Sequence, residues 1–147
     1  MYTHILISTD GSKLAQKGVD HGLSLAKALG SKVTIITATE PFPVPTGAAA
    51  WVVTPNDIAG YAASQKKEAE ELLASVGSAA EKMGIKVDTV HVPNARAAGA
   101  ILETAQRSGC NLIVMASHGR RGVKRVLLGS QAAEVVSSSA VPVLIVK

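Results

Sequence analysis

The chain has 147 residues, a formal net charge of +4 and a sequence pI near 9.4, which leaves room for one domain-sized core and points to an anionic partner without naming it. Hydrophobic residues make up 47% and mean hydropathy is +0.26, so a disordered chain is excluded; aromatics make up only 3%, so the core must be built from Val, Ile, Leu and Ala. One cysteine excludes an internal disulfide and a cysteine-based zinc site, and the apolar runs fall far short of the ~20 residues of a membrane span.

Met1-Tyr2-Thr3 leads directly into a strand-like run with no basic leader or cleavage site, so a cytoplasmic protein is expected. The run His4-Ile5-Leu6-Ile7-Ser8-Thr9 reads as a buried strand ending at the turn Asp10-Gly11-Ser12. Ser12 is placed to cap a helix whose inward positions are Ala15, Val19, Leu23, Ala26 and Leu29, with Gly30 as its stop. Residues 32–39 contain Val33-Thr34-Ile35-Ile36, a second buried strand. Periodicity then fails over residues 40–57, which hold four of the six prolines together with Phe42 and Trp51. A loop of this length reads either as a lid or contact surface or as a tolerated surface insertion.

Asn56 or Asp57 is expected to cap a long helix with Ile58, Ala62, Ala69, Leu72, Leu73, Val76, Ala80 and Met83 buried and Gly84 at its end. A third strand is expected over 85–92 and a third helix over about 96–108, with Ala97, Ala100, Ile101, Leu102 and Ala105 inward. Leu112-Ile113-Val114-Met115-Ala116 is the most uniformly apolar strand; a loop over 117–128 follows, then a helix opened by Gly129-Ser130 and a last strand over 141–146. Strands alternating with helices imply one domain over 1–147. Its expected fold is α/β, a doubly wound five-stranded parallel sheet of flavodoxin-like or Rossmann-like type in the order 3-2-1-4-5, with helices on both faces. In such a sheet the ligand crevice lies between strands 1 and 4, so the turns after those strands are the candidate site.

The segment Met115–Ser130 is the richest in chemistry. Arg120, Arg121, Lys124 and Arg125 fall within six residues, and Gly119, Gly122 and Gly129 allow close backbone approach or positive φ. Gly129-Ser130 begins a helix whose free amides and dipole favour an anion. The segment reads as a polyphosphate cradle, or as a solvated basic loop with a helix cap. Asp10 ends strand 1 facing the same crevice, where its carboxylate can accept hydrogen bonds from a ribose hydroxyl or an adenine amino group; an Asx turn over Asp10-Gly11-Ser12 is the structural alternative, and the two are compatible.

The spacing Ala116-Ser117-His118-Gly119, nine residues, then Gly129-Ser130 resembles the nucleotide-binding signature of the universal stress protein family, Gly, two residues, Gly, nine residues, Gly, then Ser or Thr. The opening Ser8-Thr9-Asp10-Gly11-Ser12 and the closing Val141-Pro142-Val143-Leu144-Ile145-Val146 are similar to the same family, so the resemblance spans nearly the whole chain. It implies that Thr9 and Asp10 contact adenosine, that Ala38 offers backbone groups to the adenine, and that Met115 packs near the base. It also implies that Gly119, Arg120, Gly129, Ser130 and Gln131 surround the phosphates. His118 lies within the signature and either touches a phosphate or ribose or holds the turn. Ala116 departs from the first signature glycine: a requirement for positive φ there costs energy, whereas a requirement for a small side chain is met. Ala95-Arg96-Ala97 stands where relatives often carry Gly-x-Pro.

The expected function is a nucleotide-binding stress-response regulator. ATP, or AMP or ADP, is the ligand, magnesium enters through its phosphates, and ATP hydrolysis is slow or absent, since no general base is evident. The alternatives are a dimeric interaction module that binds no nucleotide and a weak ATPase. The chain lacks Gly-x-x-x-x-Gly-Lys-Ser/Thr, Gly-x-Gly-x-x-Gly after strand 1, and a nucleophile elbow. Residues 116–147 carry five cations against one carboxylate but no aromatic platform, which makes nucleic acid an unfavoured partner. The last strand, apolar on both faces at a sheet edge, and the family resemblance together imply a homodimer through 141–146. No membrane association is expected.

Overall fold

The first apolar run forms β1 (His4–Ser8), and Ile5, Leu6 and Ile7 at its centre are fully buried. In the computed structural model, residues 1–120 and 127–147 are described; Arg121, Gly122, Lys124 and Arg125 lie outside them. Ser12 caps α1 (Lys13–Leu29), its hydroxyl accepting the Ala15 N–H at 3.2 Å, and Gly30 closes the helix at φ 68°. Ala15, Val19, Leu23 and Ala26 are buried as expected. Leu29 is not: the closing turn, with Ser31 N–H donating to the Ala26 carbonyl, sends the chain back into β2 (Lys32–Ala38) and leaves Leu29 47% exposed.

The proline-rich segment holds a short 3-10 helix, Gly47–Val52, with no buried residue. α2 (Pro55–Lys82) begins earlier than expected, and its cap is Thr54 rather than Asn56 or Asp57. The Thr54 hydroxyl accepts the Asp57 N–H while the Asp57 carboxylate accepts the Thr54 N–H, and Pro55 takes the first position, where a missing N–H costs nothing. Burial in α2 starts only at Ala69; Ile58 and Ala62 are exposed, because the first half of the helix runs beside the cleft described below and not over the sheet.

β3 (Val87–Val92) starts after Ile85, whose N–H closes the end of α2 on the Ala80 carbonyl. α3 (Ala97–Ser108), β4 (Leu112–Ala116) and α4 (Ser130–Ser138) follow. β5 spans only Val143–Val146: Val141 is held in a local turn with the Ser139 hydroxyl, and Pro142 has no N–H for the ladder.

All neighbouring strands are parallel, in the order β3-β2-β1-β4-β5. Alternation along the strands divides the core. Ile5, Ile7, Val33, Ile35 and Val114 pack with Val19 and Leu23 of α1 and Leu73 and Val76 of α2. Leu6, Ile36, Ile113 and Met115 pack with Ile101 of α3 and Val135 of α4 on the other face. Helices therefore cover both faces, and the winding reverses at β1, which pairs with β2 on one side and β4 on the other. The chain ends leaving β1 and β4 diverge there and open a crevice.

Candidate functional site

At the carboxyl end of β1, Thr9 is buried and extends the ladder, its N–H donating to the Ile36 carbonyl at 3.0 Å. Its hydroxyl accepts the Gly11 N–H at 3.2 Å, and Gly11 turns at φ 80°. Asp10 forms the Asx turn, Oδ1 accepting the Ser12 N–H at 2.9 Å, while Oδ2 accepts the Arg120 N–H at 2.8 Å.

At the end of β4, Ala116 keeps ordinary strand geometry; among the described residues Asn94 is the only non-glycine at positive φ. The alanine at this signature position therefore costs no backbone strain. Neither Gly119 nor Gly129 is a positive-φ glycine. Both sit where another group approaches closely: a Cβ on Gly119 would lie 3.0 Å from Asp10 Oδ2, and one on Gly129 3.2 Å from the Ser117 carbonyl oxygen. The Gly129 N–H donates to that same carbonyl at 2.8 Å, which folds the start of α4 back onto the end of β4. The N-cap residue of α4 is Gly129, which has no side chain to cap it. The His118 ring meets the Ser117 hydroxyl through Nδ1 at 3.0 Å.

Gln131 has a role the sequence did not disclose. Its side-chain oxygen accepts the Ala98 N–H at 2.9 Å, capping α3, whose own N-cap residue Arg96 makes no side-chain capping bond. An Arg96–Glu134 ion pair at 3.1 Å joins the same two helices.

These pieces border one cleft of about 980 Å³. Thr9 and Asp10 line it from β1, Ala38 from β2, and Met115, Ala116, His118, Gly119 and Arg120 from the end of β4. Gly129, Ser130 and Gln131 line it from the start of α4, so the structure brings all eleven sequence-derived candidates together. Sequence reasoning missed the α2 wall, Tyr61, Gln65, Glu68 and Leu72, and Thr39, Glu40, Ala97 and Ile101 beside it. The signal was present: positions 61, 65, 68 and 72 form one helical stripe, but a mostly polar one. Tyr61 also meets Phe42 edge to face, ring centroids 5.4 Å apart at 88°, and its hydroxyl donates to the Glu40 carbonyl at 3.4 Å. The segment 40–57 is thereby tied to the cleft at its beginning, whereas Trp51 in its middle is 91% exposed.

Thr39 is fixed by a 2.8 Å hydrogen bond between its hydroxyl and His91 Nε2. Burial holds the His91 pKa below 6.5, opposed by Glu70 and assisted by Lys66. Among the described residues no group of three or more His, Cys, Asp or Glu side chains is placed to hold a metal ion, and no helix is long and apolar enough to cross a membrane.

A doubly wound parallel sheet with a cleft over its switch point is the α/β arrangement in which ligands bind at the carboxyl ends of the strands. Within that class the chain belongs to the universal stress protein family, whose sequence profile matches residues 1–147. It is 32% identical over 149 residues to universal stress protein MJ0531 of Methanocaldococcus jannaschii, covering 100% of this chain and 83% of that one. Universal stress protein YxiE of Bacillus subtilis is 30% identical over 149 residues, covering 100% of each. Among solved structures, hypothetical protein MJ0577 superposes with a TM-score of 0.81 at 26% identity, over 100% of this chain and 96% of that one. A universal stress protein solved in complex with cAMP superposes with a TM-score of 0.68 at 25% identity, over 99% of this chain and 96% of that one. The Archaeoglobus fulgidus protein in complex with dAMP shares the fold with a TM-score of 0.67 at 21% identity, over 99% and 98%.

Proposed function

We propose that this chain is a regulatory protein of the stress response that binds an adenine nucleotide, ATP first, in the cleft between the ends of β1 and β4. The observation that carries the reading is the convergence of Asp10 and Ser130, from opposite ends of the sequence, on one cleft with the other nine candidates. The cAMP complex of a relative supports the ligand class. In this reading the backbone at Ala38 meets the adenine and Met115 packs beside the base. The phosphates lie toward Gly119, Arg120, Gly129 and Ser130, where a guanidinium, close-approaching backbone and the N-terminus of α4 favour negative charge. Magnesium enters with the phosphates, not through a protein cage. Binding is the activity, and any hydrolysis of ATP is slow.

Gly129 gives the sharpest test. An aspartate there places a side chain against the Ser117 carbonyl and a negative charge at the phosphate end. In calorimetric titrations the parent protein should release heat on binding ATP and Gly129→Asp should not. No heat from the parent at millimolar ATP would overturn the reading.

A further inference from the structure

Resting on the nucleotide reading, we propose that residues 43–53 form a strap that closes over the adenine end of the cleft when nucleotide binds, carrying Trp51 onto the base.

The segment leaves the cleft and returns to it. Glu40, just past the end of β2, lines the cleft, and so does Tyr61 on α2; none of the residues between them does. Both ends of the strap are fastened. Phe42 meets the Tyr61 ring edge to face, and the Tyr61 hydroxyl donates to the Glu40 carbonyl. At the other end the reciprocal Thr54–Asp57 pair fixes the first turn of α2. Between these fastenings no residue is buried, and Val44, Trp51 and Val52 are exposed. Gly47 turns at φ 71° with nothing within 4 Å of where a Cβ would stand, and Val53 on the far side of the 3-10 helix is extended. The segment thus has a hinge at each end of that helix and no packing to break when it moves.

The composition singles out the same place. Of the chain's two Tyr, one Phe and one Trp, all but Tyr2 lie in the strap or its fastening. Phe42 and Tyr61 make the fastening, and Trp51 faces water. Its reach is sufficient. Thr54 stands seven residues before Tyr61, about 10 Å along the helix axis. Trp51 stands three residues before Thr54, and three extended residues also span about 10 Å. With the last turn of the 3-10 helix opened, Trp51 comes back alongside Tyr61 while both fastenings hold. That rim, beside Ala38 and Glu40, is the adenine end in the nucleotide reading. A purine offers a flat face for the indole to stack on, and closure removes Trp51 and Val52 from water.

Trp51 is the chain's one tryptophan, so its emission reports the strap alone. The experiment titrates the protein with ATP, adenosine and inorganic triphosphate, exciting at the red edge where adenine does not absorb, with calorimetry alongside. We expect ATP and adenosine to change the Trp51 emission and protect it from acrylamide quenching, and triphosphate to do neither. Trp51→Ala should keep the parent's urea midpoint by circular dichroism and bind ATP about tenfold more weakly. Heat from ATP with unchanged emission, the same protection from triphosphate, or a Trp51→Ala protein that binds ATP as tightly as the parent would each overturn the strap and leave the nucleotide reading standing. No heat from the parent at millimolar ATP would overturn the nucleotide reading and the strap with it.

Discussion

Glycine serves different ends at different positions in this chain, and substitutions there have opposite expected signs. Gly22 of α1 faces the sheet: a Cβ would lie 2.6 Å from Ile7 Cδ1 and 2.8 Å from Ile7 Cγ1, on a side chain fully buried between strands. Gly22→Ala should therefore destabilise the fold, since overpacking costs about 1–3 kcal/mol against about 1 kcal/mol gained in helix propensity. Gly99 of α3 is exposed with open space at its Cβ, so Gly99→Ala should stabilise by about 0.5–1 kcal/mol. Urea midpoints of the two variants should move in opposite directions. The histidines carry a second prediction at this scale. Burial lowers the pKa of His4, assisted by Lys32 and opposed by Asp88, and burial likewise lowers that of His91. Below 6.5 the unfolded chain then takes up protons more readily than the fold. Their contribution is complete above 6.5 and is lost as pH falls through the folded values. Urea midpoints measured against pH should show this decline, and His4→Gln with His91→Gln should reduce it.

At the scale of elements, α2 and β5 are the informative cases. The first half of α2 buries little, so its start depends on local capping. Thr54→Ala removes one side of the reciprocal Thr54–Asp57 pair and should cost about 1 kcal/mol. The loss should appear in amide exchange as faster opening of the first turns of α2, with the half beyond Ala69 unchanged; uniform acceleration along the helix would contradict it. β5 is a sheet edge carrying Leu144, 39% exposed. The homodimer expected from the sequence would pair this edge with its copy, and edge strands with unpaired backbone groups favour such pairing. Sedimentation should show a dimer for the parent and a 15.1 kDa species for Leu144→Lys; a parent that stays monomeric at high concentration would refute the pairing.

For the whole molecule, the strand order was legible because short strand-like runs, most of them apolar, alternate with 3.6-residue helical patterns, two of which are closed by the glycines Gly30 and Gly109. Those signals are local, and parallel connectivity follows from their alternation. The less legible features depend on contacts distant in sequence. The α2 wall of the cleft escaped notice because a polar stripe facing a cleft has the same pattern as one facing solvent. The end of α3 that borders the cleft is capped by Gln131, 33 residues away, which no local rule predicts. The glycines of the signature were legible as a spacing, but their cause was not: Gly119 and Gly129 make room for Asp10 and Ser117 of the protein itself. The sharpest single test is to follow backbone amide signals by NMR while ATP is added to saturation. Ala38, the residues 117–120 and Gly129–Gln131 should shift together along one binding curve, with Gly30 and Gly109 at the opposite end of the sheet unmoved. Signals at the cleft that stay fixed at saturating ATP, or shifts centred elsewhere, would contradict an adenine-nucleotide site at the β1–β4 crevice.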